Sequence, residues 1–179
     1  METSHVSEEF EESGGFRTLD KLDELCRLLS DCRTLAVVGL STRPTRDSHT
    51  VSAYLQARGF RIVGIHPGQE QALGEPCYPS LSAVPDAERD ALDLVVVFRR
   101  PEHVPDLLDE ASSVGLRRIW LQLGVSSPEA EARARHHGMV LVADKCIRVV
   151  HSLCSRSEDG DRFRADSAAE GDSSSSTER

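Results

Sequence analysis

A chain of 179 residues that is 39% hydrophobic, 4% aromatic and 28% charged has the length and balance of one ordinary domain with an aliphatic core. No apolar run reaches the ~18 residues of a spanning helix, and 1–16 is acidic without the apolar stretch of a secretory signal. The formal net charge of -9 lies mostly in the ends, -4 over 1–17 and -3 over 152–179, so the middle is near neutral and lacks the basic face of a nucleic-acid binder.

A small anionic ligand is not excluded, because a few arginines gathered in one cleft suffice. The five cysteines, Cys26, Cys32, Cys77, Cys146 and Cys154, are widely spaced and contain no C-x-x-C pair. With no secretory signal they read as reduced thiols in a cytoplasmic protein. Cys146, His151 and Cys154 offer three irregularly spaced donors, too few for a zinc site, so no metal is expected.

The first predicted element is a helix over 18–30, from the helical spacing of Leu19, Leu22, Leu25, Leu28 and Leu29. TLAVVGL (34–40) then reads as a buried strand. Val51, Tyr54 and Leu55 place a helix over 48–58, stopped at Gly59. FRIVGI (60–65) is the next strand, and Cys77 with Tyr78 forms a short edge strand between two prolines. LDLVVVF (92–98) is a third strong strand, followed by a helix from Pro101 to Gly115. RRIWLQL (117–123) and MVLVA (139–143) are strands on either side of a helix that opens with Ser127 as N-cap and Pro128 at its first position. A short helix over 144–151 closes the series. The stretches 1–17 and 155–179 are acidic and poor in apolar residues, and both read as disordered tails around a domain spanning 18–154.

Strands apolar on both faces, alternating with helices, require a sheet covered on both sides. The expected fold is α/β: a doubly wound, mainly parallel, Rossmann-like sheet of five or six strands with helices on both faces. Ligands of such sheets sit beyond the carboxyl ends of the strands, so the residues just after each strand are the candidates.

After the first strong strand runs Gly39-Leu40-Ser41-Thr42-Arg43-Pro44-Thr45-Arg46-Asp47-Ser48. Its hydroxyls, two arginines and helix N-terminal amides suit a phosphate group, although a plain capping loop with solvated arginines has the same composition. Ser41 and Pro44 stand where a G-x-G-x-x-G fingerprint needs glycine, and the second strand ends Ile65-His66-Pro67-Gly68 without an acid for a ribose, so a nicotinamide dinucleotide is not expected. No P-loop lysine is present. The remaining strand ends offer Phe98-Arg99-Arg100-Pro101, Gln122-Leu123-Gly124 and Asp144-Lys145-Cys146. Gln122, ending a buried strand, pairs its amide either with a ligand amide or with neighbouring backbone. Cys146 reads as a small buried hydrophobe or, beside Lys145 and a helix start, as a reactive thiol.

The stretches AVVGLSTRPTRDSHTVSAYLQARGF, IHPGQEQALGEPCYPSL, DLVVVFRRPEHVP, IWLQLGV and ADKCIRVVH resemble, in order and spacing, the family of small stand-alone CoA-binding domains. That family is in turn similar to the CoA-binding domain of succinyl-CoA synthetase alpha subunits. The resemblance covers about 34–151. It implies that coenzyme A is the ligand, with Gly39, Leu40, Ser41, Arg43 and Ser48 at its phosphates and His66, Pro67 and Gly68 flanking the nucleotide. Phe98, Arg99, Arg100 and Pro101 would border the pantetheine path, and Gln122 and Gly124 its far end. His66 stands where the family often has Asn, and Val150 where Glu commonly precedes the final His. The chain has no room for the phosphohistidine and ATP-grasp machinery of a synthetase. The expectation is therefore a binding protein for CoA or acyl-CoA, with no nucleic-acid or membrane partner and a homo-oligomer possible. An enzyme using bound CoA, through acyl transfer or thiol exchange at Cys146, is one alternative, and a binder of another nucleotide is a second.

Overall fold

The structure, a computed structural model, describes residues 15–156; the expected tails at 1–14 and 157–179 lie outside the described residues. In chain order the elements are β1 (Arg17–Thr18), α1 (Leu22–Asp31), β2 (Thr34–Val38), α2 (Asp47–Gln56), β3 (Arg61–Ile65), β4 (Gln71–Ala72), β5 (Glu75–Tyr78), α3 (Asp86–Arg89), β6 (Leu94–Val97), a 3-10 turn (Pro101–His103), α4 (Val104–Ser113), β7 (Arg118–Leu121), α5 (Pro128–His136) and β8 (Val140–Val142). A last helix, α6, occupies 147–156. No helix among the described residues is long and apolar enough to cross a membrane.

The strands form one sheet in the order β1-β8-β7-β6-β2-β3-β5-β4. Every neighbouring pair is parallel except β4 with β5. Eight strands replace the expected five or six because β1 and β4, at two residues each, are too short to show a period of two. β4 also displaces β5 from the edge: the chain turns through Leu73 and Gly74, pairing Ala72 with Glu75. At the other edge Arg17 N–H donates to Met139 and Leu19 N–H to Leu141, at 3.0 and 2.9 Å. Those bonds hold the chain extended and delay α1 to Leu22 rather than 18.

The unbroken apolar runs lie where both faces are covered. All five residues of β2 are buried, and alternate side chains enter different layers. Leu35, Val37, Ile62, Val96 and Trp120 meet α1, α2 and α6 through Leu25, Leu29, Val51, Leu55, Ile147 and Val150. Ala36, Val38, Val63, Val95 and Ile119 meet α4 and α5 through Val104, Leu108, Ala111, Ala130 and Ala134. Each fully buried Leu or Ile in these layers contributes about 1.5–3 kcal/mol. Ser127 caps α5 as expected, its hydroxyl accepting the Ala130 N–H at 3.2 Å. Gly64 faces Cys77 so closely that an added Cβ would lie 2.2 Å from its sulfur, so β3 and β5 can pair at this register only with glycine there.

Two expectations fail at the C-terminal end. Residues 144–146 are not helical: Asp144 has φ +56 and its carboxylate accepts the Gly124 N–H at 2.7 Å, while the Lys145 carbonyl accepts Trp120 Nε1–H at 2.7 Å. The helix starts only after these contacts and runs on to 156 rather than ending at 151. The second correction concerns the thiols. Cys26 and Cys154 form a disulfide across a sequence separation of 128, with Cα atoms 5.5 Å apart; Cys32, Cys77 and Cys146 are free. α1 and α6 pack on the same face of the sheet, and that packing brings together two cysteines whose spacing along the chain carries no pairing signal.

Candidate functional site

Chain order reverses between β2 and β6: β3 and β5 continue to one side, β7 and β8 to the other. The crevice expected at such a switch point is present as a cleft of about 1190 Å³ over the carboxyl ends of the strands, between the start of α2 and one face of α6. Its volume exceeds the ~300–1,000 Å³ common for small-molecule sites.

The β2–α2 loop is built from the backbone outward. Gly39, at φ +86, sits so close to β6 that a Cβ would lie 3.0 Å from the Phe98 carbonyl. Its own N–H donates to Ile65 at 2.9 Å. Beyond it, Ser41 N–H donates to the Ser48 hydroxyl, and the Ser41 hydroxyl accepts the Arg43 N–H, both at 3.1 Å. His49 Nδ1–H donates to the Ser41 carbonyl at 2.9 Å. The loop is thus folded onto the first turn of α2, which carries no side-chain cap. Such a helix end offers donors to an anion. Four arginines line the cleft, Arg46, Arg100, Arg148 and Arg156, and Asp47 is the one carboxylate among its lining residues.

At the far end Gln122 lies just past β7. It is 5% exposed, its Oε1 accepts the Ile147 N–H at 3.3 Å, and its Nε2 is buried without a hydrogen-bond partner. A buried amide donor left unpaired costs about 1–3 kcal/mol, so a ligand acceptor at this position would recover stability as well as bind. Cys146, half-buried, lines the same region. Lys145 does not accompany it: its ammonium pairs with Asp20 at 2.5 Å. The other free thiols lie in the core. Burial pushes Cys32 up to about 12, with Asp93 adding to the effect, and burial also raises Cys77.

Of the residues singled out from sequence, Gly39, Ser41, Ser48, His66, Phe98, Arg100, Gln122 and Cys146 line the cleft. The others do not. Leu40 is fully buried, with its side chain in the core against Gly64. Arg43 is exposed on the loop, and Pro67, Gly68, Arg99 and Pro101 stand outside the lining set. Gly124 is held by Asp144 instead. His66 turns its ring to its neighbour, Nδ1–H donating to the Pro67 carbonyl at 2.7 Å.

Arg46, read from the loop as one of its two phosphate-suited arginines, lines the cleft as well, but sequence reasoning did not single out Thr45 or Asp47 and missed a whole wall. Arg148, Val149, Ser152, Leu153 and Arg156 present one face of α6 to the cleft. Their spacing of one, four, five and eight from the first marks a helix face, a signal that a helix ending at 151 cuts short. Tyr54 of α2 braces this wall. Its hydroxyl is 3.2 Å from His151 Nδ1, and the Arg148 guanidinium lies 5.3 Å from its ring centroid.

Fold and site together define a doubly wound, Rossmann-like domain with a cationic cleft at its switch point. The chain belongs to the CoA binding domain family, whose model matches residues 33–152. It is 34% identical over 130 residues to the uncharacterized protein YneT of Bacillus subtilis, covering 73% of this chain and 93% of that one. The solved structure of the cell-free ID.343 protein from Thermus thermophilus superposes with a TM-score of 0.69 at 32% identity, covering 75% of this chain and 99% of that one. A more distant relative is acetate–CoA ligase (ADP-forming) I of Archaeoglobus fulgidus, 22% identical over 130 residues that make up 67% of this chain and 18% of the ligase.

Proposed function

We propose that the protein binds coenzyme A or an acyl-CoA in this cleft, acting in the cytoplasm as a binding protein and not as an enzyme. The observation that carries the reading is the run of chemistry along the strand ends. It passes from Ser41, Ser48 and Arg46 around the start of α2 to the buried Gln122 after β7, whose Nε2 is unpaired. Strands lie ~4.8 Å apart, so this run crosses about 10 Å of sheet from β2 to β7. A ligand with phosphates at one end and amide carbonyls further along matches both ends. In this pose Arg46 and the first turn of α2 hold phosphate, with Arg43 and Arg100 within reach from the rim. Phe98 borders the pantetheine arm, and Gln122 donates to one of its carbonyls. Family membership supports the choice of CoA over other nucleotides. So does β3, which ends in Ile65-His66 with no acid to hold a nicotinamide ribose.

A second reading, thiol–disulfide exchange with a CoA disulfide, is favoured by the position of Cys146. It is the free thiol on the cleft among the described residues, and it immediately precedes the N–H that Gln122 holds.

Calorimetry of the full-length chain against CoA, NAD, NADP and ATP tests the main reading. CoA is expected to bind with a dissociation constant of about 1 μM or tighter, and the others far more weakly. Preference for NAD would overturn it, and preference for ATP would make the protein a binder of another nucleotide.

A further inference from the structure

Four large apolar side chains are exposed among the described residues: Leu22 at 44%, Leu123 at 69%, Val149 at 57% and Leu153 at 43%. Single exposed leucines are ordinary on any surface. Here three of the four, Leu123, Val149 and Leu153, line one cleft, and all three belong to its β7–α6 end. Leu123 is the residue after Gln122. Val149 is two residues beyond Ile147, whose N–H the Gln122 oxygen holds, and Leu153 comes one turn later along α6, ~6 Å up the helix axis. An apolar strip thus begins beside the unpaired Gln122 donor, and on α6 it runs between Arg148 and Arg156.

From this juxtaposition we infer that the β7–α6 end of the cleft accepts an apolar acyl chain, and that the preferred ligand is a CoA thioester longer than acetyl rather than free CoA. The inference rests on the CoA reading above. One cleft holds both Arg46 at the start of α2 and the strip, so a ligand anchored by its phosphates at α2 reaches Gln122 with its amide and thioester carbonyls. Gln122 Nε2 can only donate, and a carbonyl oxygen is the kind of acceptor it lacks. The acyl chain extends from the thioester carbonyl, and at that position the wall is Leu123, Val149 and Leu153. Free CoA would end there in a thiol and leave the strip in water.

The test is a series of affinities measured on the full-length protein for CoA, acetyl-CoA, butyryl-CoA and hexanoyl-CoA. Hexanoyl-CoA is expected to bind at least tenfold more tightly than acetyl-CoA, equivalent to about 1.4 kcal/mol, with butyryl-CoA between them. In a Leu123→Ser, Val149→Ser double variant that ratio is expected to fall below threefold. Taking the ratio within one variant cancels any general loss of folded protein. CoA binding with no dependence on chain length would overturn the inference and leave the CoA reading standing. Failure of CoA and all three esters would overturn both. Light scattering that shows a dimer dispersed by Val149→Asp, together with a flat series, would assign the strip to a second copy of the chain and overturn the acyl site.

Discussion

The side-chain oxygen of Gln122 accepts the backbone N–H of Ile147 at 3.3 Å, tying the end of β7 to the first turn of the helix that walls the cleft. The same side chain leaves its Nε2 unpaired. One half of the amide is thus committed to structure while the other is left free to donate, and the two can be separated by mutation.

Gln122→Glu keeps an acceptor for Ile147 and removes the donor. The ionised carboxylate is costly to bury at this position, so the melting temperature should fall with the fold intact, while CoA affinity falls by about 1–3 kcal/mol, the scale of a lost buried hydrogen bond. Calorimetry and thermal melts on the same preparation check both halves. A melting temperature that drops with affinity unchanged would make Gln122 purely structural.

Arg46→Ala should weaken CoA binding more than Arg43→Ala, since Arg46 lines the cleft and Arg43 stands exposed on the loop beside it. Losses of about 1–3 kcal/mol for Arg46 and under ~1 kcal/mol for Arg43 are expected, each shrinking at high salt. Equal losses would move the phosphate toward the tip of the loop.

Reducing the Cys26–Cys154 bond should lower stability by about 2–5 kcal/mol, because it frees a long loop in the unfolded chain. In a cytoplasmic setting the bond would be exposed to the cellular thiol pool. Denaturant titration with and without dithiothreitol measures the loss, and Cys26→Ser should reproduce it without reductant. A midpoint insensitive to both would show that α6 is held by its packing alone.

Asp109 of α4 accepts His137 Nε2–H at 2.6 Å and pairs with Arg133 at 3.0 Å. The His137 hydrogen bond, with the Arg133 charge assisting, holds its carboxyl below the ordinary value of 3.8. The unfolded chain then takes up the proton first as pH falls, so the contribution is fully present above about pH 4 and is lost as pH drops through the folded value. Melting temperature tracked between about pH 2 and 6 should fall more steeply in the wild type than in Asp109→Asn. Parallel curves would remove Asp109 from the acid response.

Incubation with CoA disulfide should modify Cys146 ahead of Cys32 and Cys77. The thiolate of Cys146 attacks one sulfur of the disulfide, forming the mixed disulfide and releasing one CoA thiolate. Cys32 and Cys77 are buried with raised pKa values, so both the thiolate and access are scarce there. Peptide mass mapping over time reads the order, and equal rates at the three thiols would return Cys146 to a packing role.

The α/β class, the parallel sheet and the position of the cleft were legible in the amino-acid order, because a strand covered on both faces must be written as an unbroken apolar run. Thr34–Val38 and Leu94–Val97 are such runs, and Gly39, Ser48 and Gln122 stand out from where the runs stop. Strands β1 and β4 were not legible, since two residues carry no period and exist only because β8 and β5 offer them partners. The Cys26–Cys154 bond and the α6 wall were hidden for a related reason. Each depends on two segments far apart in the chain meeting on one face of the sheet, 128 residues apart for the disulfide and 97 for Tyr54 and His151, and local spacing records which side of a helix is apolar but not which distant helix will lie beside it. The unpaired Nε2 of Gln122 is a fact of the same kind, visible only once β7 and α6 have closed around it.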